Sequence, residues 1–208
     1  RHHVRPTDGP AFAARVLEIC TAYDPGVTAV QLNLLGSHDT PRVRTVVGGD
    51  VAAVRLAFLL LTTLPGAPCL YYGDEIGLIG ANDPANRGSF PWDEARWDRG
   101  LYETVRALLH LRAAEPGLRD GPMRTVGAEG SAVAFERGSG EARFVVAVNA
   151  GDSAVRLPLR FSDTPDGVGR RLAGIGLPGF ALPSETPIVD GSAAIHIGPR
   201  DGAVLRVV

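Results

Sequence analysis

Two neighbouring polar side chains, His38 and Asp39, stand just beyond a mostly apolar segment. That segment covers residues 29–35 and is typical of a short strand buried on both faces of a parallel sheet. An imidazole beside a carboxylate offers hydrogen bonds to hydroxyl groups and a negative charge that can stabilise a developing positive one. Ser37 precedes the pair, but adjacent side chains cannot form the relay of a Ser-His-Asp triad.

A second set of candidate residues follows the next apolar segment. Residues 69–72 predict another short strand, and a polar loop rich in Gly and Pro extends from about Gly77 to Gly100. This loop carries Asp83 and Arg87, a carboxylate and a guanidinium four residues apart. As a surface salt bridge the pair would contribute little to stability, and a role in ligand binding is an equal alternative.

Helices must connect these two strands and hold their ends together. A helix-start cluster lies at residues 7–10, and Pro25 and Gly26 are expected to end that helix. A second helix is predicted after Asp50, a candidate N-cap, and a third covers residues 101–112. The order α-β-α-β-α, with polar residues after each strand, predicts a parallel α/β architecture.

The sequence changes character near residue 120. Beyond that point, short apolar segments between turn residues predict strands at 132–136, 144–149, 154–159, 193–197 and 204–208. Their regular spacing predicts an antiparallel β-sandwich. We therefore divide the chain into two domains, residues 1–120 and residues 121–208.

The composition of the chain excludes several classes of protein. A formal net charge of −2 gives no positive field for nucleic acid. The strongest apolar run, residues 56–61, is far too short to span a membrane. Cys20 and Cys69 lie in apolar segments, as expected for buried thiols, and lack the spacing of a zinc site. His2 and His3 are expected to form a surface pair.

Three segments, in a fixed order and at compatible spacing, carry a resemblance to a known family. They are Asn-Leu-Leu-Gly-Ser-His-Asp-Thr-Pro-Arg at 33–42, the segment 64–77 with Tyr-Tyr-Gly-Asp-Glu, and Asp-Pro-Ala-Asn-Arg at 83–87 with Phe-Pro-Trp-Asp at 90–93. They resemble the seventh strand, the eighth strand and the following loop of the α-amylase family (glycoside hydrolase family 13). The similarity is closest to the cyclomaltodextrinase, neopullulanase and maltogenic amylase branch, and it covers about residues 11–150.

The resemblance implies a fold and a set of functional groups. Residues 1–120 would form the last two βα units of a TIM (β/α)8 barrel, and residues 121–208 an antiparallel β-sandwich domain behind it. Reactive groups of such barrels sit at the C-terminal ends of the strands, where the sequence places His38 and Asp39. Asp39 would be the family's transition-state-stabilising carboxylate, and His38 would hydrogen-bond the same sugar.

The resemblance also assigns roles to residues near this pair. Asp83 and Arg87 resemble a pair that binds a sugar further from the cleaved bond. Arg42 would either contact substrate or orient its loop, and the sequence does not decide between the two roles. Structural roles, in capping or bonding loop backbone, are expected for Asp74 and Glu75. Trp92 could stack on a sugar, but such a Trp more often packs the loop against the barrel.

The chain departs from the family pattern in what it lacks. The nucleophilic Asp and the acid/base Glu of the family follow its fourth and fifth barrel strands, and neither segment lies within this sequence. The resemblance therefore implies a fragment of a retaining hydrolase of α-1,4-glucans, inactive until the N-terminal part of the barrel completes it. No cofactor is required by this segment, and calcium in the complete enzyme stays open. Gly36 stands where many relatives carry an acidic residue, so that part of the groove is undefined.

Other functions remain open at this point. A transglycosylase of the same family, such as a trehalose synthase or glucanotransferase, would transfer sugar instead of releasing it, and a catalytically inert relative would only bind glucan. Residues 121–208 contain no evident aromatic platform, so a carbohydrate-binding module is not favoured. The expected partner is an α-glucan oligosaccharide such as a maltodextrin or cyclodextrin. A homodimer and a cytoplasmic location are further implications of the resemblance, with secretion as the alternative.

Overall fold

The computed structural model describes residues 6–162 and 169–208, which leaves His2 and His3 outside the described residues. The helices of this part are α1 (Gly9–Thr21), α2 (Pro25–Val30), α3 (Val43–Val46), α4 (Val51–Thr63), α5 (Arg99–Ala114) and α6 (Pro116–Arg119). The first strands are β1 (Leu32–Leu34), β2 (Ala67–Cys69), β3 (Met123–Glu129), β4 (Ala132–Arg137) and β5 (Phe144–Asn149). The remaining strands are β6 (Val155–Arg160), β7 (Arg171–Gly174), β8 (Thr186–Pro187), β9 (Ser192–Ile197) and β10 (Asp201–Val207).

Helix α1 begins where the sequence predicts. The Asp8 side chain accepts a hydrogen bond from the backbone N–H of Ala11 at 2.8 Å, which caps the helix. The predicted end of this helix is only half right, because Pro25 begins α2 in addition to following α1. The Asp24 carboxylate caps this second helix by accepting from the N–H of Gly26 at 2.8 Å.

Strands β1 and β2 form a parallel pair, as the α-β-α-β-α order predicts. Leu32 pairs with Ala67 and Leu34 pairs with Cys69, and α4 provides the crossover between the two strands. A parallel pair of this kind aligns the carboxyl ends of both strands at one edge. The loops that follow β1 and β2 therefore start from the same side of the sheet.

Both strands are shorter than predicted. The segment 29–35 begins inside α2, because Ala29 and Val30 complete a helix that Asp24 has started. The segment 69–72 contributes only Cys69 to β2, and the strand extends in the N-terminal direction instead. Tyr71 and Tyr72, which the predicted strand 69–72 included, therefore lie outside β2.

Helix α4 is the most apolar helix of the first half, and its burial explains its composition. Asp50 caps it, as predicted, by accepting from the N–H of Ala53 at 3.1 Å. Val54, Phe58 and Leu61 follow one another at helical spacing on one face, and all three are buried. The predicted third helix is confirmed as α5. No helix within residues 6–162 and 169–208 combines the length and apolar character needed to cross a membrane.

The second half is antiparallel, which confirms a β domain after residue 120. One sheet has the strand order β3-β4-β5-β10-β7-β8, and β6 pairs separately with β9. A core of buried apolar side chains contains residues from both sheets, among them Val126, Val145, Leu157, Ile195 and Leu205. All five predicted strands are present within one to three residues, whereas β3, β7 and β8 were not predicted.

The helices and the large sheet share one hydrophobic core. Its members include Val16 of α1, Phe58 of α4 and Leu108 of α5, together with Phe135 and Val146 of the sheet. This continuous core attaches the β domain firmly to the helices. The division of the chain at residue 120 stays a proposal.

The start of α1 approaches the β domain so closely that only glycine fits there. Gly9 donates its N–H to the carbonyl of Gly130 at 2.6 Å, and a Cβ atom at Gly9 would lie 2.1 Å from the carbonyl oxygen of Ala132. Since this oxygen belongs to a β-strand backbone, it cannot move aside at low cost. The turn between β3 and β4 is thereby held against the first helix.

Candidate functional site

His38 and Asp39 occupy the central positions of a tight turn directly after β1. The turn is closed by a hydrogen bond from the N–H of Thr40 to the carbonyl of Ser37 at 3.3 Å. Two side chains reinforce it: the hydroxyl of Thr40 accepts from the N–H of Ser37 at 3.0 Å, and the hydroxyl of Ser37 accepts from the N–H of Asp39 at 3.1 Å. Short polar residues on both flanks thus shape the turn locally.

Both central side chains of the turn are open to solvent. The side chain of His38 is 67% exposed and that of Asp39 is 71% exposed, with the imidazole Nε2 3.3 Å from the carboxylate Oδ2. A carboxylate in this position can accept hydrogen bonds from hydroxyl groups of a ligand. Both side chains lie beyond the end of β1, as the sequence predicts, and both are accessible to a ligand.

The loop after β2 returns to this turn and binds its backbone. Its segment Ala85–Arg87 forms a single helical turn. Asn86 donates from Nδ2 to the carbonyl of His38 at 2.8 Å and to the carbonyl of Thr40 at 2.9 Å. Arg87 donates from Nε to the same carbonyl of His38 at 3.1 Å, and this Nε also lies 3.2 Å from the Asp83 carboxylate. The structure therefore brings His38, Asp39, Asp83 and Arg87 into one neighbourhood.

Arg42 lies away from this exposed neighbourhood, in the interior of the protein. Its side chain is 1% exposed and its guanidinium stacks on Tyr71 and Tyr72, with 4.3 and 4.5 Å to the ring centroids. Nη1 donates to the carbonyl of Tyr72 and lies 3.3 Å from the Asp74 carboxylate. A guanidinium enclosed in this way cannot reach a sugar, so the prediction that Arg42 contacts substrate gives way to its alternative, orientation of the loop.

Asp74, expected to be structural, is the buried partner of Arg42. Burial raises the pKa of its carboxyl to about 6, while the Arg42 guanidinium acts in the opposite direction. Because this pKa lies above the ordinary value of 3.8, the contribution of Asp74 to stability is fully present below that value. The contribution is lost as the pH rises through about 6.

Gly36 allows this buried pair to form directly beneath the turn. A Cβ atom at position 36 would lie 2.5 Å from Oδ2 of Asp74. A side chain here would displace the Asp74 carboxylate and with it the Arg42 guanidinium. Gly36, which replaces the acidic residue of many relatives, thus has a packing role.

We expect Gly36→Ala to destabilise the protein by about 1–3 kcal/mol, the usual cost of inserting an atom into a well-packed interior. Urea unfolding measures the loss. Gly176→Ala is the matched control, since a Cβ atom there has no neighbour within 4 Å and the backbone is not left-handed. Equal stability of the two variants would contradict the packing role of Gly36.

Asn86 is the residue of this neighbourhood that the sequence did not single out. It lies inside the segment Asp-Pro-Ala-Asn-Arg at 83–87, in which only the two charged residues were assigned a role. Its side chain is fully buried. A buried amide must bond to its surroundings, but the sequence carries no signal for the partner it bonds to.

The aromatic residues of the same loop take unexpected positions. Trp92, expected to pack the loop against the barrel, is 84% exposed and contacts Phe90 with ring centroids 4.9 Å apart. Trp97 performs the anchoring role instead, since its indole N–H donates to the carbonyl of Pro91 at 2.7 Å. Its ring also contacts Phe90 and Tyr102. In the part of the chain that the structure describes, no three His, Cys, Asp or Glu side chains gather as ligands of a metal ion.

The chain is similar in sequence to known proteins over most of its length. Residues 10–110 match the family model of the α-amylase catalytic domain. The chain is 39% identical over 150 residues to a cyclomaltodextrinase of Geobacillus thermopakistaniensis, which covers 71% of this chain and 26% of that protein. It is 36% identical over 154 residues to a maltogenic α-amylase of Bacillus acidopullulyticus, covering 72% of this chain and 26% of that protein.

Solved structures share the fold over nearly the whole chain. The acarbose-soaked debranching enzyme of Nostoc punctiforme has a TM-score of 0.81 at 32% identity, covering 98% of this chain and 39% of that one. The match includes both the parallel strand pair and the antiparallel sheets, because it leaves only 2% of the chain uncovered. The chain spans about a quarter of the length of the two curated relatives.

Proposed function

Because this chain belongs to the α-amylase family, we propose that it is the C-terminal part of a retaining glycoside hydrolase acting on α-1,4-glucans. In this proposal residues 1–120 complete a (β/α)8 barrel and residues 121–208 form the β-sandwich domain that covers it. The observation that carries the proposal is the convergence of two strand-end loops, in which Asn86 and Arg87 bond to the exposed turn of His38 and Asp39. Such loops form the active site of (β/α)8 enzymes.

In the proposed mechanism, Asp39 stabilises positive charge on the sugar and does not form a covalent bond to it. Cleavage of a glycosidic bond passes through an oxocarbenium-like state, in which positive charge develops on the sugar ring. The exposed carboxylate of Asp39 would accept hydrogen bonds from ring hydroxyls and stabilise this charge. Contacts that strengthen in the transition state raise the rate, whereas equally strong ground-state contacts do not. His38 would donate to the same sugar.

The pair of Asp83 and Arg87 would bind a sugar further along the chain. Both recorded contacts of the Arg87 guanidinium use Nε. The two terminal nitrogens of this guanidinium can therefore donate to a ligand, for example to its hydroxyl groups. The half-exposed Arg87, at 47%, remains accessible to a ligand while it helps to hold the turn.

The nucleophile and the acid/base would come from a preceding part of the barrel, outside this chain. The exposed face of β1 supports this proposal, because Leu32 is 60% and Leu34 46% exposed although parallel strands are normally covered on both faces. Within residues 6–162 and 169–208, β1 pairs with β2 alone. The remaining strands of the barrel would cover these leucines.

Product analysis of the full-length protein with maltotriose and a cyclodextrin tests this function. We expect maltose and glucose from maltotriose and linear maltodextrins from the cyclodextrin, and no products from the 208-residue chain alone. Longer oligosaccharides or trehalose among the products would indicate transglycosylation instead of hydrolysis. Binding of glucan without any turnover would identify a catalytically inert relative. Turnover by the isolated chain would overturn the proposed division of catalytic groups.

The proposal extends to partner and location. The substrate would be a maltodextrin or cyclodextrin, and neither nucleic acid nor membrane would be involved. The homodimer and the cytoplasmic location implied by family resemblance stay predictions.

A further inference from the structure

We propose that Asn86 is a positioning residue, which fixes the direction of Asp39 by holding the backbone on both sides of it. This inference rests on the proposed function of Asp39 and adds to it the residue on which that function depends. Asn86 makes no contact with the exposed carboxylate itself. It acts through the two carbonyl groups that it binds.

The contacts of Asn86 are concentrated on the turn that carries Asp39. Its Nδ2 group has two hydrogens, and the carbonyls of His38 and Thr40 accept at 2.8 and 2.9 Å. These carbonyls lie immediately before and immediately after Asp39 in the chain. Both donors of the amide are therefore used to fix one residue from two sides.

The interior position of Asn86 makes this clamp rigid. The side chain is 0% exposed, so it has no solvent-facing alternative conformation. Its Oδ1 atom is buried without a hydrogen-bond partner among the described residues. An unsatisfied buried acceptor costs stability, so the fold retains the amide here in spite of that cost. Burial therefore leaves the amide in one orientation, with both of its donors directed at the turn.

Asp39 needs such a clamp because its own side chain is poorly supported. The carboxylate is 71% exposed, and its recorded side-chain partner is the equally exposed imidazole of His38. Packing therefore cannot hold the carboxylate in one place. Its direction follows from the backbone of the turn, and stabilisation of a transition state requires a group held within about 0.5 Å of its productive position.

The loop after β2 thus connects Asp83 and Arg87, proposed to bind a more distant sugar, with the turn that carries Asp39. Arg87, adjacent to Asn86, donates to the same carbonyl of His38 while Asp83 binds its Nε. A change in the loop would be transmitted to Asp39 through this shared carbonyl. Asn86 is distinguished from Arg87 by its burial and by its second bond, to Thr40.

The test combines Asn86→Leu, which removes both donors at similar volume, with Asp39→Asn in the full-length enzyme. With an aryl α-maltoside as an activated substrate, Asn86→Leu should lower kcat by about 10- to 100-fold, the usual effect of losing an outer-shell positioning contact, with KM within about threefold. In the Asp39→Asn background the same substitution should change kcat by less than about threefold, because residues that act as a unit are not additive. Asn86→Ser, which retains one donor, should fall between Leu and the wild type.

Asn82→Leu is the matched control, since Asn82 is exposed on the same loop, and it should leave kcat unchanged. An equal loss of kcat from Asn86→Leu in both backgrounds, or no loss in either, would overturn the positioning role. If Asn86→Leu does not fold, as shown by its melting temperature, the same comparison in the wild-type and Asp39→Asn backgrounds is made with Asn86→Ser. Failure of the proposed function is a separate result: Asp39→Asn alone would then retain normal kcat.

Discussion

The variant Asp39→Asn of the full-length enzyme is expected to lose about two to four orders of magnitude in kcat, with the fold intact. Asparagine has the same shape as aspartate but no charge, so the exposed turn can form unchanged. The negative charge that would stabilise the oxocarbenium-like state is lost. Because this interaction strengthens in the transition state, kcat falls much more than the affinity for substrate.

The position of Asp39 makes the expected result specific to function. Its side chain is 71% exposed and its recorded ion-pair partner, His38, is charged only when protonated. Exposed ion pairs contribute little to stability, so the melting temperature should remain close to that of the wild type. A large loss of kcat without a change in stability would separate a functional residue from a structural one.

Asp120→Asn is a suitable control, because Asp120 is 72% exposed and pairs with the neighbouring Arg119 on the surface. It undergoes the same chemical change at nearly the same exposure, and normal turnover is expected. Steady-state kinetics on maltotriose and thermal unfolding of both variants complete the measurement. If Asp39→Asn and Asp120→Asn turn over substrate equally well, Asp39 is not the stabilising carboxylate.

The second large effect concerns stability, and it is expected for Arg112→Met. The guanidinium of Arg112 is buried, and burial lowers the pKa of this group. Nη1 donates to the carbonyls of Thr62 at 2.9 Å, Leu64 at 3.2 Å and Leu118 at 3.0 Å, and Nη2 donates to the carbonyl of Gly66. One side chain therefore satisfies the C-terminal carbonyls of α4 and the backbone that leads into β2.

Methionine has a similar apolar stem but cannot donate to these carbonyls. The carbonyl of Leu118 keeps a donor in Arg137, whereas those of Thr62, Leu64 and Gly66 lose the donor that Arg112 supplies. Each buried carbonyl left without a partner costs about 1–3 kcal/mol, and partial relaxation limits the sum, so we expect a loss of about 3–5 kcal/mol. Urea unfolding of the full-length protein measures this loss. The position of β2, and with it the loop that carries Asn86, depends on the same contacts.

Arg106→Met provides the comparison on the same helix, α5. Arg106 is 57% exposed and pairs with Glu103 three residues earlier. A surface pair of this kind contributes about 0–1 kcal/mol, so its loss should be small. The carbonyl-binding role of Arg112 would be wrong if the two arginine variants had the same free energy of unfolding.

Much of the local structure was predictable because it depends on neighbouring residues. Asp8 and Asp50 cap the helices that follow them, as short acidic side chains before apolar segments do. The strand at residues 144–149 was predicted with its observed bounds, because its alternating apolar side chains face two different cores. The position of His38 and Asp39 after a strand followed from the same local pattern.

The errors share a different cause. Val30 and Tyr71 have the apolar or aromatic character of strand residues, yet neither lies in a strand, because Asp24 starts a helix early and Arg42 takes Tyr71 as a stacking partner. Strands β7 and β8 lie in a segment rich in Gly and Pro. Strand β7 forms against the edge of β10, and β8 then pairs with β7. In each case an interaction outside the segment overrides the preference of its residue types: a nearby helix cap at Val30, and contacts distant in sequence at Tyr71 and in β7 and β8.

The sequence by itself determined the two kinds of architecture, the starts of α1 and α4 and the acid beyond the end of the first strand, since each depends on residues within a few positions of one another. Tertiary structure alone decided that Arg42 is enclosed by Tyr71 and Tyr72, and that Asn86 bonds to a turn 46 to 48 residues earlier. A guanidinium or an amide can bond to many partners, and its residue type does not specify which one. The partner is selected when packing brings two loops to the same edge of the parallel strands.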